Sequence, residues 1–207
     1  MRWRTAQGLP LFPALLALGI LAGCAAPVTR EAPPGDWSGH RTRLETLTHW
    51  TASGKLALRS SEASESATLL WRQRGDETRV QLSGPLGVGS TVLESDGAFL
   101  DIRRGDEHRR VDIRSREVIL RETGWDLPVA ALPAWLRGLP DPDLPIDDLD
   151  TDPLTGYLRL LAQDGWRVHY EAYGEFAGYA LPTRLSIESG DTRARVLIRR
   201  WEAPSPP

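Results

Sequence analysis

Most of the residues on which catalytic and structural devices depend are scarce in this chain. There is one cysteine in 207 residues, Cys24, so a framework of internal disulfides is excluded. The four histidines, at 40, 49, 108 and 169, are scattered, and none stands at metal-ligand spacing from a cysteine, histidine or carboxylate. No Gly-x-Ser-x-Gly elbow is present to expose a nucleophilic serine. Gly87-Val88-Gly89 lacks the third glycine and following helix of a nucleotide loop, so it reads as a turn. The acidic run Asp147-Asp148, Asp150 and Asp152 lacks the central glycine and closing glutamate of a calcium loop and reads as an acidic surface loop. Charge of one sign is missing as well. The formal net charge is −3, and the arginine pairs at 103–104, 109–110 and 199–200 are interleaved with acids or apolar residues. That pattern belongs to wet strand faces rather than to a nucleic-acid footprint. No metal, cofactor or nucleic acid is expected, and no enzymatic constellation assembles.

The one long apolar run is at the start. Arg2 and Arg4 precede Leu9–Leu21, which is almost wholly apolar, and Leu21-Ala22-Gly23-Cys24 follows. A charged beginning, a short apolar stretch and small residues before a cleavage point make a secretory signal, too short to span a bilayer comfortably. Ending in Leu-Ala-Gly-Cys, it resembles the lipobox of bacterial lipoproteins. That resemblance implies cleavage before Cys24 and acylation of Cys24 on sulfur and on the new amino group. Ala25, where an aspartate would favour retention in the inner membrane, points to the outer one. The competing reading of Cys24 is an ordinary signal followed by an unrelated free thiol. Removing the first 23 of 207 residues leaves 184, one domain of ordinary size with a net charge of about −5. No second apolar run follows, so a soluble domain on a lipid tether is expected, and several acyl chains hold such a tether permanently.

Residues 24–35 read as the acylated terminus and a mobile linker, with Pro27, Pro33 and Pro34. The folded domain is expected over 36–201. Trp37, His40 or Arg41, Leu44 and Leu47 recur at helical spacing, giving an amphipathic helix over about Trp37–Thr48. The period then drops to two: Leu56 and Leu58, Val80 and Leu82, Leu100 and Ile102, Val111 and Ile113 alternate with polar neighbours. Such short runs bounded by Gly, Ser, Asp and Pro predict an antiparallel meander with one apolar face. Two short helices are expected in the middle, Ser115–Glu122 and Leu127–Arg137, the second opened by Pro128, closed by Gly138 and kinked or split by Pro133. A loop, Leu139–Asp152, precedes renewed alternation through Leu158, Leu160, Ala162, Trp166, Val168, Tyr170, Leu185, Ile187, Ala194, Val196 and Ile198 to Trp201. The tail 202–207 is expected to be disordered. The class is α+β, a curved antiparallel sheet whose many short strands curl without closing, with short helices across its concave face.

Two features call for explanation beyond the fold. Seven of the eight tryptophans lie after Cys24, at 37, 50, 71, 125, 135, 166 and 201, and filling a core is their ordinary role. Gly84-Pro85-Leu86-Gly87 is a tight turn with a leucine at its tip. Leu86 either folds back onto the sheet or presents an apolar tip to a membrane or acyl chain. Moving one leucine out of water contributes roughly 1.5–3 kcal/mol, enough to bias a transient contact and too little to anchor.

Taken in order, Trp50 with Gly54-Lys55-Leu56-Ala57-Leu58, Leu70-Trp71, Gly84-Pro85-Leu86-Gly87, Gly124 with Leu127-Pro128, Leu132, Trp135-Leu136 and Gly138, then Gln163 with Gly165-Trp166, Val168, Tyr170, Tyr173, Leu181-Pro182 and Trp201, the chain resembles the LolB family of outer-membrane lipoprotein receptors. Pro133 departs from the family's pattern, in what should be a lid helix. The resemblance implies an unclosed β-barrel covered by short lid helices around an apolar cavity. It implies a monomeric, non-enzymatic factor that takes acylated lipoproteins from a soluble periplasmic carrier, LolA, and passes them into outer-membrane lipid. On that reading the acyl chains meet Leu56, Leu58, Leu70, Val80, Leu82, Leu100, Trp166, Tyr170, Leu185 and Ile187 on the concave face and Trp135 and Leu136 on the lid. Leu86 leads the cargo into the bilayer. Two other readings stay open: a lipid-anchored binder of a small apolar ligand with no carrier partner, and, more remotely, an esterase.

Overall fold

Period-two alternation resolves into eleven strands. They are β1 (His49–Arg59), β2 (Ser64–Arg74), β3 (Glu77–Ser83), β4 (Ser90–Ser95), β5 (Phe99–Arg104), β6 (Glu107–Asp112), β7 (Ile146–Thr151), β8 (Leu158–Gln163), β9 (Trp166–Phe176), β10 (Tyr179–Ser189) and β11 (Thr192–Glu202). Two helices have both ends among the described residues, α1 (Trp37–Glu45) and α2 (Leu132–Arg137). The computed structural model describes residues 35–60, 64–84, 89–113, 118, 121 and 128–206. The signal sequence, Cys24, the linker as far as Pro34 and the Leu86 turn lie outside the described residues, as does most of the helix expected over Ser115–Glu122, of which Val118 and Arg121 are described, both helical. Pro33–Pro207 forms one compact unit with its own core, the requirement for folding without what precedes it.

All strands join one antiparallel sheet in the order β6-β5-β4-β3-β2-β1-β11-β10-β9-β8-β7. Each strand pairs with its neighbour in sequence, and β1 pairs with β11. The ring is broken at one place, between β6 and β7, where the chain spends residues 113–145 on the crossover that carries α2. The barrel is therefore unclosed, as expected. Bulges accompany the curvature: one at Ser53/Gly54 in the β1–β11 pair and two around Arg184 in the β9–β10 pair. Gly54 is obligatory there, because a Cβ would run into the Leu197 carbonyl oxygen. Pro182 is tolerated inside the sheet because it sits at the other bulge.

Local chemistry explains most boundaries. Asp36 caps α1, its carboxylate accepting from the Gly39 amide at 2.9 Å. α1 ends at Glu45, three residues short of the expected Thr48, because β1 begins at His49. α2 begins at Leu132, not at Leu127. Pro133 lies in its first turn, where a missing N–H costs nothing, so it opens the helix rather than kinking it. Gly138 closes α2 in the left-handed conformation, φ 82°. Two strands had no counterpart in the sequence reading. β4 holds Val92 and Leu93 side by side, which hides alternation. β7 falls inside the expected loop, and its Asp147, Asp148 and Asp150 suit an edge strand guarded by charge. The tail also starts later than expected: Glu202 is the last residue of β11, paired with Thr51, and Ala203 packs on the core.

Candidate functional site

The inward face of the sheet is set by register. Leu56 on β1 faces Ala67 on β2 and Val196 on β11, and Ala52 faces Trp71. Trp71 then faces Val80, Val80 faces Leu93, and Leu93 faces Ile102. All of these but Ala52 line a cavity of about 540 Å³ that draws residues from eight strands, with Val129, Leu132 and Leu136 closing it from the crossover and α2. Eight strands laid flat would span roughly 34 Å at 4.8 Å each, so one cavity can touch them all only because the sheet curls.

Most of the lining is aliphatic, and much of it remains partly exposed: Leu56, Leu82, Leu93, Ile102 and Leu132 are half-buried. A 150 Å³ apolar cavity holds benzene, so this one has room for about twenty carbons, one long acyl chain. The lining turns polar toward the end of the sheet that carries the β1–β2, β3–β4 and β5–β6 turns. Glu65, Thr91, Arg104, Glu107 and Arg109 line it there, beside Gly84 and Gly89, which flank the undescribed residues 85–88.

Of the residues expected at the cavity, Leu56, Leu58, Val80, Leu82, Leu100, Leu136 and Ile187 line it. Leu70 does not. It follows Leu69 and precedes Trp71, and three apolar residues in a row carry no alternation. The pairings Gly54↔Leu69 and Ala52↔Trp71 turn Leu69 and Trp71 inward and Leu70 to the other face. Trp135, Trp166, Tyr170 and Leu185 are not among the lining either; all face inward but are sealed in solid core, at most 6% exposed. The indoles of Trp135 and Trp166 lie 6.5 Å apart. Leu69, Trp71, Leu93, Ile102, Val129, Leu132, Ala194 and Val196 also line the cavity and were missed. For Ala194 and Val196 the alternation was visible but not what covers it.

α2 is fastened by polar groups that no periodicity announces. Gln163 is fully buried and fully bonded. Its Oε1 accepts from Trp135 Nε1 at 2.8 Å and from the Asp141 amide at 2.9 Å. Its Nε2 donates to the Asp141 and Leu144 carbonyls, both at 2.9 Å. Tyr170 donates its hydroxyl to the Trp135 carbonyl at 2.9 Å, and burial pushes its pKa well up. Arg137 reaches back to the last carbonyls of the α1 segment, 2.7 Å to Leu47 and 3.4 Å to Leu44, where a helix end favours a cation. Desolvation lowers its pKa, with Glu45 opposing. The face of α2 carrying Trp135 is thus locked down, while Leu132 and Leu136 roof the cavity.

Among the described residues no group of three or more His, Cys, Asp or Glu is placed to hold a metal, and no helix is long and apolar enough to cross a membrane. What the cavity can do is take apolar chains out of water.

Residues 48–201 match the sequence profile of the family described as outer membrane lipoprotein LolB. The chain is 40% identical over 193 residues to the outer-membrane lipoprotein LolB of Ectopseudomonas mendocina, covering 89% of this chain and 92% of that one. It is 38% identical over 198 residues to that of Alkalilimnicola ehrlichii, covering 94% and 97%, and 38% identical over 195 residues to that of Stutzerimonas stutzeri, covering 88% and 90%. Among solved structures it is similar to a LolA superfamily protein from Nitrosomonas europaea, at 11% identity and a TM-score of 0.48, over 82% of this chain and 94% of that one.

Proposed function

The chain belongs to the LolB family of outer membrane lipoproteins, and on that premise we propose that it accepts acylated lipoproteins from the periplasmic carrier LolA and inserts them into the outer membrane, as a monomer and without enzymatic chemistry. It is an outer-membrane lipoprotein, and Cys24 is its point of acylation. The observation that carries the transfer role is the apolar cavity of about 540 Å³, built within the segment that matches the family.

The physics of the task fits that cavity. A triacylated lipoprotein carries about forty methylenes, and at about 0.8 kcal/mol each their exposure costs on the order of 30 kcal/mol. Free diffusion is excluded, so chains pass from cavity to cavity, downhill in affinity. Room for about one chain at a time suits stepwise transfer. Leu86, which stands in the sequence between the cavity-lining Gly84 and Gly89, is the residue proposed to lead the cargo into lipid.

The test mixes the chain from Ala25 onward with LolA preloaded with a radiolabelled lipoprotein, without nucleotide. Movement of label to this protein supports the proposal. Label that stays on the carrier while the domain still binds free acyl chains replaces it with a binder of single apolar ligands, which the size of the cavity also suits. Leu86→Glu is expected to leave acceptance intact and impair delivery to phospholipid vesicles.

A further inference from the structure

The arginines of β3, β5 and β6 differ in what they meet. On the outer face each has a carboxylate: Arg79 and Arg103 share Glu94, the latter at 2.8 Å, and Arg110 lies 3.4 Å from Asp101 and 3.6 Å from Asp96. Arg104 points the other way and lines the cavity. Its Nε donates to the hydroxyl of Thr91 at 3.1 Å. Glu107, its cross-strand neighbour, instead lies 3.8 Å from Arg109. Among the described residues no carboxylate lies within 4 Å of Arg104.

We propose that Arg104, oriented by Thr91, is a binding residue for the acyl-ester carbonyls at the head of a chain lodged in the cavity. This rests on the reading of the cavity as an acyl-chain site. An acyl chain that enters methyl-end first brings its carbonyl to the rim, where the lining turns from Leu82, Leu93 and Ile102 to Thr91 and Arg104. There the carbonyl loses part of its water and needs a donor. With Nε held by Thr91, the guanidinium keeps its Nη groups for the incoming oxygens in a fixed plane, which an ammonium does not offer. Arg104 thereby sets how deep a chain sits and favours acyl chains over bare hydrocarbon. Acyl esters occur on the glyceryl group of a lipoprotein's cysteine and on phospholipids alike.

The test uses the chain from Ala25, loaded with the neutral dye Nile red and titrated with methyl dodecanoate, dodecane or dodecanoate as displacing probes. Arg104→Leu is expected to weaken methyl dodecanoate about five- to tenfold and to leave dodecane within about twofold. An unchanged unfolding midpoint shows that the variant is intact, since Arg104 is exposed and bonds only Thr91 among the described residues, and each displacement constant is corrected for the dye affinity measured in the same protein. Equal ester affinity in both proteins, an equal loss for dodecane, or a loss confined to dodecanoate overturns the proposal. A triacylated cysteinyl lipopeptide and dihexanoyl phosphatidylglycerol, titrated in parallel, separate the two sources by which one loses affinity in the variant. Ester discrimination without transfer from the carrier defeats the proposed function and spares Arg104. Transfer without ester discrimination does the reverse.

Discussion

On β8, β9 and β10 the inward side chains include Leu161, Trp166, Val168, Tyr170 and Leu185, each at most 6% exposed. On β3, β4 and β5 they include Leu82, Leu93 and Ile102, all half-buried around an empty volume. The same alternation governs both halves of one sheet. What differs is the cover. The β8–β10 half receives Trp135 from α2 and the 141–144 loop, tied to it through Gln163. Among the described residues the β3–β5 half receives Leu132, Leu136 and Val129 over its cavity, with Val118 packed on the neighbouring Leu100, Val111 and Ile113. Large aromatic side chains concentrate where the sheet is filled. Trp50, Trp71 and Trp201 cluster at ring distances of 5.9 and 5.1 Å, and of the three only Trp71 reaches the cavity wall. Among the described residues the half that holds the cavity is the one that receives less bulk.

That contrast can be broken most severely from the filled side. Trp135→Ala removes a fully buried indole and orphans Gln163, and about 3–5 kcal/mol of stability should be lost in chemical denaturation. A cost below about 1 kcal/mol would show that the packed half is not packed. Gln163→Leu keeps the volume but leaves the Trp135 and Asp141 N–H groups without their acceptor, and about 2–3 kcal/mol should go. In the hollow half the same measurement should read little. Leu82→Ala has only partial burial to lose, so about 1 kcal/mol is expected. Val80→Trp sharpens the contrast further: it adds about seven heavy atoms to a cavity with room for about twenty carbons, at a cost of about 1–3 kcal/mol, and it should weaken both dye binding and acceptance of cargo. Undiminished cargo acceptance in that variant would mean the chains lie elsewhere.

The smallest expected effect is that of pH at α1. His40 is enclosed by Trp37, Tyr157 and Tyr173. Burial, aided by repulsion from Arg43, lowers its pKa from 6.5 to about 4. The folded state therefore resists a proton that the unfolded chain takes up at 6.5. Its contribution is complete above pH 6.5 and is lost as pH falls toward 4, on the order of 1 kcal/mol once solvent screening is allowed for. Unfolding midpoints measured across that window should fall less steeply for His40→Phe than for the parent chain; parallel curves would refute this.

Much of the fold was legible because it is local. Gly138 marks a helix end by its own backbone chemistry, and the alternations around Leu56, Val80, Trp166 and Leu185 mark the inward faces. The strands at β4 and β7 were not legible, since Val92-Leu93 shows no period and an acidic edge strand looks like a loop. Pro133 was read as a break because its place in the helix depends on where the helix starts.

The sequence by itself determined the meander, the close of α2 at Gly138, the inward faces of most strands and, through the order of its motifs, the family. Tertiary structure alone decided which inward residues are core and which are cavity wall. It also settled Leu69 over Leu70, gave Gln163 and Arg137 their fastening roles and left Arg104 facing the cavity with no carboxylate beside it among the described residues. The physical reason is range. Alternation is a property of neighbours along the chain and fixes the side to which a residue points. What covers that side comes from segments such as α2, up to 93 residues away in sequence from its partners in the α1 segment, and no local pattern encodes that distance.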